Sequence, residues 1–407
     1  MSAAGLYRAL GLDGYRVLDA WQSESDGRVR VLIEAPRDAL QCRKCGCSRV
    51  HVHDPAVRTW VTAPIGLVPV EVVMHSPRVK CLGCGAKTWH QPTFASGQRR
   101  ITKTFEAFIE QQLTRLTIQD IVETYGLSWN TVCEIDLARL KKMSRPGWKT
   151  LRRLAIDENY LGARHGFVTV VLDLDTMAIV SVLKGRGKAA LALFFSKLKD
   201  AKAKIEAVAT DMAGGYIAAV QEHLPQAALV FDRFHVVKLM NAKLSDLRRE
   251  MYHELTDKMH RKVLKGTRWL LVMNPENLKQ NEKVDEKARL HEALKLNESL
   301  AKAYDLKEDL RQFWNQRSKP AAEQHPEAWC RRAEASGIRQ LHTMAKTLRM
   351  HRRGLLNWYD HPLSTGPLEG VNNKIGALQR RAYGYRNYEH LQQKLLTLHH
   401  TKFMLQG

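Results

Sequence analysis

Long apolar runs are missing from this 407-residue sequence. No window approaches the roughly 18 uninterrupted apolar residues of a bilayer span, so no membrane-spanning helix is predicted. The start, MSAAGLYRALGLDGYR, lacks a basic head followed by an apolar block and a small-residue cleavage site, and the expected location is the cytoplasm. Cysteine is sparse: seven in a long chain make a poor disulfide framework, and four of them sit in two C-x-x-C pairs, which in a reducing compartment points to metal. Acids are also short, 42 against 64 Lys and Arg, for a net charge of +22. Such a field gathers polyanions and costs self-repulsion without them. No amphipathic helix pairs a Lys/Arg face with a Trp/Phe/Leu face, which ranks a membrane surface below nucleic acid as the partner. The composition, 44% hydrophobic and 26% charged, excludes wholesale disorder. The length implies two to four domains.

Cys42 and Cys45 precede Cys81 and Cys84, and the spacer holds strand-like alternation at Val57 to Thr62 and Val68 to Met74. Two thiolate knuckles joined by a hairpin are a zinc-ribbon layout, a closed S4 site for structural Zn2+. Cys47, His51 and His53 lie close enough to replace a ligand, with solvated loop positions as their default. Cys133 and Cys330 read as buried thiols. Val72 to Phe105 carries six basic residues and no acid, which suits phosphate contacts.

Residues 104–140 predict three short helices, with Thr117 and Ser128 as caps and a Tyr125-Gly126-Leu127 turn. These are the parts of a helix-turn-helix whose recognition face exposes Trp129, Asn130, Thr131 and Glu134. The acid-free run Lys141, Lys142, Arg145, Lys149, Arg152, Arg153 reads as a basic linker along a DNA backbone.

From Leu154 the character changes to three apolar strands, then helix, strand, helix, strand. This β-β-β-α-β-α-β order describes a ribonuclease-H-like sheet. Asp157 lies in its first strand and Asp211 ends its fourth, a neighbouring strand. In-line attack on a phosphodiester uses two Mg2+ or Mn2+ ions held by hard carboxylates. Glu369 is the third candidate, in the first turn of a helix opened by Pro367. Asn372 and Asn373 share its face, and Lys374, Arg380, Arg381 and Arg386 alternate with Tyr383, Tyr385 and Tyr388, a pattern for holding a distorted DNA end.

Read in order, the two-knuckle module, the helix-turn-helix, Ile156-Asp157-Glu158-Asn159, Ala209-Thr210-Asp211-Met212, Phe231 to His235 and Gly366 to Ile375 resemble the bacterial insertion-sequence transposases of the ISL-three family over nearly the whole chain. The resemblance implies a DDE triad on Asp157, Asp211 and Glu369 that cuts and joins DNA at terminal inverted repeats. His235, in the D-x-x-H string with Asp232, is then a phosphate or water contact. Arg43 stands where proline is common in the family.

Glu158 is a rival to Asp157, but strand alternation points it to the other face. Asp232 reads equally as a strand-end cap, and Glu389 as a solvated ion pair. The long interval between Asp211 and Glu369 implies a helical insertion with solvated Glu/Lys faces, as in 281–290. Within it Trp269 has core packing as its default, and stacking on a flipped base is the alternative that the resemblance supplies. The expected organisation is a zinc-binding module (1–98), a helix-turn-helix and linker (99–150), the first part of an α/β catalytic core (151–235), an all-α insertion (236–360) and C-terminal core helices (361–407). Double-stranded DNA, both ends and target, is the expected partner, with a dimer or larger assembly and no organic cofactor. An inactive DNA-binding protein or a non-joining nuclease on the same fold is the alternative.

Overall fold

A computed structural model describes residues 3–97, 99–279 and 285–400. Its described residues divide into two compact units, one of residues 3–143 and Arg381–Gln393, the other of Ser144–Arg380 and Lys394–His400.

The first unit opens with helix α1 (Ala3–Ala9) and strands β1 (Arg16–Gln22), β2 (Val29–Glu34), β3 (Val50–Ile65), β4 (Val68–Cys81) and β5 (Lys87–Trp89). The sheet order is β1-β2-β4-β3, with β5 added to β4. Alternation sets the buried face: Val70, Val72 and Met74 of β4 are fully buried with Val31 and Ile33 of β2. Gly66, at φ +62, permits the tight reversal between β3 and β4. Helices α2 (Lys103–Gln112), α3 (Ile118–Tyr125) and α4 (Trp129–Lys142) follow. Thr117 and Asp120 form a capping box on α3, Gly126 ends it in the left-handed region, and Ser128 caps α4 through the Thr131 N–H. Phe105, Ile109, Ile121, Val132 and Ile135 close a separate core over these helices.

The second unit holds β6 (Arg153–Tyr160), β7 (Phe167–Asp173), β8 (Ala178–Lys184), α5 (Lys188–Asp200), β9 (Ala207–Thr210), α6 (Gly214–His223) and β10 (Ala228–Phe231). Their sheet runs β10-β9-β6-β7-β8. The β6-β7-β8 meander is antiparallel, while β9 joins β6, and β10 joins β9, in parallel through helical crossovers. Leu154, Ile156 and Val208 bury one face against Leu191, Phe194 and Phe195 of α5 and Tyr216 of α6.

After β10 the described chain is helical: α7 (Arg233–Glu254), α8 (Lys258–Lys265), α9 (Arg268–Val272), α10 (Glu286–Lys295), α11 (Glu298–Arg311), α12 (Lys319–Ala335), α13 (Arg339–Met350) and α14 (Arg352–Leu356). Their core includes Val236, Met240, Leu244, Trp329 and Met344. Of the charged segment 281–290, residues 281–284 lie outside the described residues. Two last helices, α15 (Gly366–Arg381) and α16 (Tyr388–Leu396), complete the order. The C-terminal piece expected at 361–407 is divided: Arg381–Gln393 cluster with the N-terminal residues and 361–380 and 394–400 with the second unit, while 401–407 lie outside the described residues. The cause is a buried polar knot, in which His390 Nε2 lies 2.7 Å from Asp136 Oδ2 of α4 and Arg139 bonds the other carboxylate oxygen. Among the described residues no helix is long and apolar enough to cross a membrane.

Candidate active site

The register of β6 on β9 pairs Ile156 with Thr210, so the next step along both parallel strands sets Asp157 beside Asp211. Because Leu154, Ile156 and Val208 face the α5 and α6 core, alternation turns Asp157 and Asp211 to the opposite face. Glu158 turns the other way: its strand partner Thr169 bonds the Tyr216 hydroxyl at 3.1 Å. Burial pushes that hydroxyl's pKa up, and the Glu158 charge adds to the effect.

Burial also holds the Asp157 carboxyl above its ordinary value. The Glu158 N–H, donating to Oδ1 at 2.8 Å, and nearby His235 pull it down, whereas the charges of Asp211 and Glu158 push it up. Asp157 Oδ2 accepts a 3.1 Å hydrogen bond from Asn372 Nδ2 of α15. Gln379, further along α15, donates to the Leu161 carbonyl at 3.1 Å, so the helix lies along the end of β6. Asp211 Oδ1 accepts from the Ala213 N–H at 3.0 Å and turns the chain into α6.

Glu369 stands in the first turn of α15 and is exposed, three residues before Asn372. The three carboxylates do not converge within 4.8 Å; among the described residues, only the four paired cysteines do so as a group. Two side-by-side aspartates whose charges oppose one another suit a hard divalent cation, which offsets that repulsion. The buried Asn372 Oδ1 has no hydrogen-bond partner in the protein, consistent with a polar ligand beside Asp157.

The cysteines lie on two matching knuckles. Gly46 N–H bonds the Cys42 carbonyl and Gly85 N–H the Cys81 carbonyl, both glycines at φ +71. Sγ atoms of Cys42 and Cys84, and of Cys45 and Cys81, are 3.6 Å apart. A tetrahedral S4 site with Zn–S bonds of about 2.3 Å requires S···S of about 3.8 Å, so the set fits zinc. Backbone N–H groups of Cys84 and Gly83 point at Cys81 Sγ and lower its pKa to about 6. Cys47 instead contacts the Arg49 carbonyl at 3.9 Å, and His53 meets Lys87 at 3.2 Å. Cys133 and Cys330 are buried.

On α4, Trp129, Asn130 and Glu134 are exposed and Thr131 is half-buried against Ser128. Lys141 pairs with Glu389 at 2.7 Å and Lys142 with Glu110 at 3.3 Å, while Arg145 is exposed. Arg381 donates to the Arg115 carbonyl. Lys374 and Asn373 lie on α15, and Arg380 and Arg386 are exposed. The tyrosines divide: Tyr383 is fully exposed, whereas Tyr385 packs edge-on against His390.

Core packing for Trp269 is overturned: the side chain is 67% exposed. With Phe234, Val237, Lys238, Asn241 and Arg268 it lines an open groove of about 520 Å³. The guanidinium of Arg268 lies 5.0 Å from its ring. The short α9 explains the exposure, since Leu270 and Leu271 occupy its buried side. Sequence reading missed the charged Asp136 on the apolar stripe of α4 and the Thr365 hydroxyl, which bonds Asp232. A charge amid Val132, Cys133, Ile135 and Leu140 was the available signal for Asp136.

A family profile described as Transposase matches residues 154–395, and one described as the helix-turn-helix domain of transposase family ISL3 matches residues 91–139. The chain is 33% identical over 387 residues to the transposase for insertion sequence element IS1001 of Bordetella parapertussis, covering 93% of this chain and 94% of that protein. It is 29% identical over 419 residues to the transposase for insertion sequence element IS1557 of Mycobacterium tuberculosis, covering 94% and 92%. Among solved structures, the Drosophila P element transposase strand transfer complex aligns at a TM-score of 0.39 and 10% identity, over 77% of this chain and 94% of that one. The chain belongs to transposase family ISL3 and is a DNA transposase.

Proposed function

We propose that this transposase cuts and joins DNA on a ribonuclease-H-like core at a centre formed by Asp157, Asp211 and Glu369. The observation that carries the reading is the pairing of Asp157 with Asp211 on adjacent strands, tied by Asn372 to the helix that bears Glu369. These carboxylates would hold two Mg2+ or Mn2+ ions, which when bound supply activation of an attacking oxygen and offset charge at the leaving one. Asn372 fixes the rotamer of Asp157, and His235 on α7 lies near enough to feel the Asp157 charge and to meet a phosphate or water. Attack by water on one phosphodiester frees a 3′-OH. That hydroxyl attacks a target phosphodiester, forming one P–O bond as another breaks, so neither ATP nor a covalent enzyme intermediate is needed.

The rest of the chain serves DNA. Residues 1–98 carry a structural Zn2+ on Cys42, Cys45, Cys81 and Cys84. The helix-turn-helix and basic linker (99–150) read the terminal inverted repeat through Trp129, Asn130 and Thr131, with Lys141, Lys142 and Arg145 along the backbone. The core spans 151–235, 361–380 and 394–400, and Arg381–Gln393 belong with the N-terminal unit. The all-α insertion (236–360) presents Trp269 and its groove to unpaired bases, Asn373, Lys374 and Arg380 of α15 meet phosphates near the cut, and Arg381 and Arg386 meet DNA phosphates from the N-terminal unit. Two ends brought together imply a dimer or larger assembly, working in the cytoplasm on the nucleoid.

The test is joining: a precut terminal-repeat duplex with a free 3′-OH, incubated with supercoiled plasmid and Mg2+, yields covalent joints. Nicking of uncut ends without any joint formation would mark a nuclease instead.

A further inference from the structure

The helical segment leaves the sheet after Asp232 and returns at Thr365, and these two junction residues bond each other: Thr365 Oγ1 donates to Asp232 Oδ2 at 2.7 Å, across 133 positions. Both are almost wholly buried, at 1% and 2% exposure. Each also stands where a side chain ordinarily caps its own helix. Asp232 is the N-cap residue of α7, yet its carboxylate caps no amide there. Thr365 directly precedes α15, and its carbonyl receives the Leu368 and Glu369 N–H groups at 2.8 and 3.0 Å, while its hydroxyl turns to Asp232.

The surroundings make one end of this bond rigid. Phe231, next to Asp232, lies so close to Gly354 that a Cβ there would stand 2.3 Å from the ring, and Asn357 Nδ2 donates to the Leu229 carbonyl of the same strand at 2.8 Å. The other end carries the first turn of α15, whose backbone sets where Glu369 stands. The i, i+3 spacing of the D-x-x-H string then has a physical meaning: on one face of the first turn of α7, Asp232 holds α15 and His235 stands near Asp157.

We propose that Asp232 and Thr365 form a clasp at the neck of the helical segment that positions Glu369 against the aspartate pair. Both are positioning residues, and the inference rests on the reading of Glu369 as the third carboxylate. A misplacement of about 1 Å at a reacting centre costs about a hundredfold in rate, and a buried carboxylate left without its donor is the kind of loss that allows one.

The test uses the full chain with three variants: Thr365→Val, which keeps the shape and loses the donor, Thr365→Ser, which restores it, and Asp232→Asn, which keeps an acceptor and loses the charge. Hydrogen exchange is followed over residues 366–372 without DNA or divalent ions, and nicking is measured separately with Mg2+. Thr365→Val is expected to exchange faster in that segment and to nick about a hundredfold more slowly, with DNA affinity unchanged. Thr365→Ser is expected to match the parent in both assays, and Asp232→Asn to nick within about tenfold of it. The proposal is overturned if Thr365→Val exchanges and cuts like the parent, or if Thr365→Ser fails to restore either property. Asp232→Asn decides alone should Thr365→Val not fold: abolished cutting with parental exchange makes Asp232 a charged participant in the chemistry and ends the clasp. Glu369→Gln, run beside them, separates the two ideas, since parental cutting there removes the reading of Glu369 whatever the exchange result.

Discussion

Asn372 on α15 donates to Asp157 on β6 across 3.1 Å, although 215 positions separate them. The bond joins the strand that carries one carboxylate to the helix that carries another, so the amide is placed to set the Asp157 rotamer. Asn372→Ala is expected to slow Mg2+-dependent nicking by about 10- to 100-fold, the range for partners of metal-binding groups, and to raise the Mg2+ concentration needed for half-maximal rate. Gel-shift affinity for the repeat should not change. An unaltered Mg2+ dependence would remove Asn372 from the site.

Stability should move against function at Asp157. Its folded pKa is raised, chiefly by burial. The native state therefore holds more protons than the unfolded chain between the two pKa values. The group's favourable contribution is full below the unfolded value and is lost as pH rises through the folded one. Asp157→Asn is thus expected to raise the Tm at neutral pH with a chelator present, by a margin that shrinks on acidification. A melt series from the ordinary carboxylate value of about 4 up to neutral pH checks this, and a lower Tm for the variant at neutral pH would contradict it.

Zinc should be structural and acid-labile. Thiolates bind metal in competition with protons, and Cys81, held at about 6 by backbone N–H donors, is among the ligands. Metal analysis should find a single zinc ion per chain. Chelator should strip it faster as pH falls below neutral, with loss of thermal stability in the N-terminal unit and of repeat binding. Cys47→Ser should keep the metal and Cys84→Ser should lose it; the reverse pattern would reassign the ligands.

Trp269 stands on the surface beside Arg268 and Phe234, where a ring serves stacking better than packing. Trp269→Ala is expected to weaken binding to an end with unpaired bases by about 1 to 3 kcal/mol while leaving fully paired duplex affinity in place. Trp269→Phe should recover most of the loss. Fluorescence of 2-aminopurine at the unpaired position reads the contact directly, and equal quenching by parent and Trp269→Ala would refute it.

Much of this architecture was legible because local signals agreed with the fold. Thr117, Gly126 and Ser128 punctuate α3 and α4 as their chemistry requires, and the short runs 207–210 and 228–231 are the strands β9 and β10. Asp157 and Asp211 could be paired from topology, since adjacent parallel strands fix register. What stayed hidden depends on long-range packing. No periodicity marks that Thr365 bonds Asp232, that His390 locks onto Asp136, or that α9 is too short to bury both Trp269 and its two leucines. Glu389 was legible for the opposite reason: an exposed acid in a strongly basic chain finds a cation, here Lys141 at 2.7 Å.

The central claim is that Asp157, Asp211 and Glu369 act together on the phosphodiester. The direct measurement is Mg2+-dependent nicking of a terminal-repeat duplex by the parent, Asp157→Asn, Asp211→Asn and Glu369→Gln, each first shown by gel shift to bind that duplex. All three variants are expected to bind as the parent does and to leave the strand uncut. Cutting at the parental rate by any one of them would contradict the assignment of that carboxylate and, for either aspartate, the site itself.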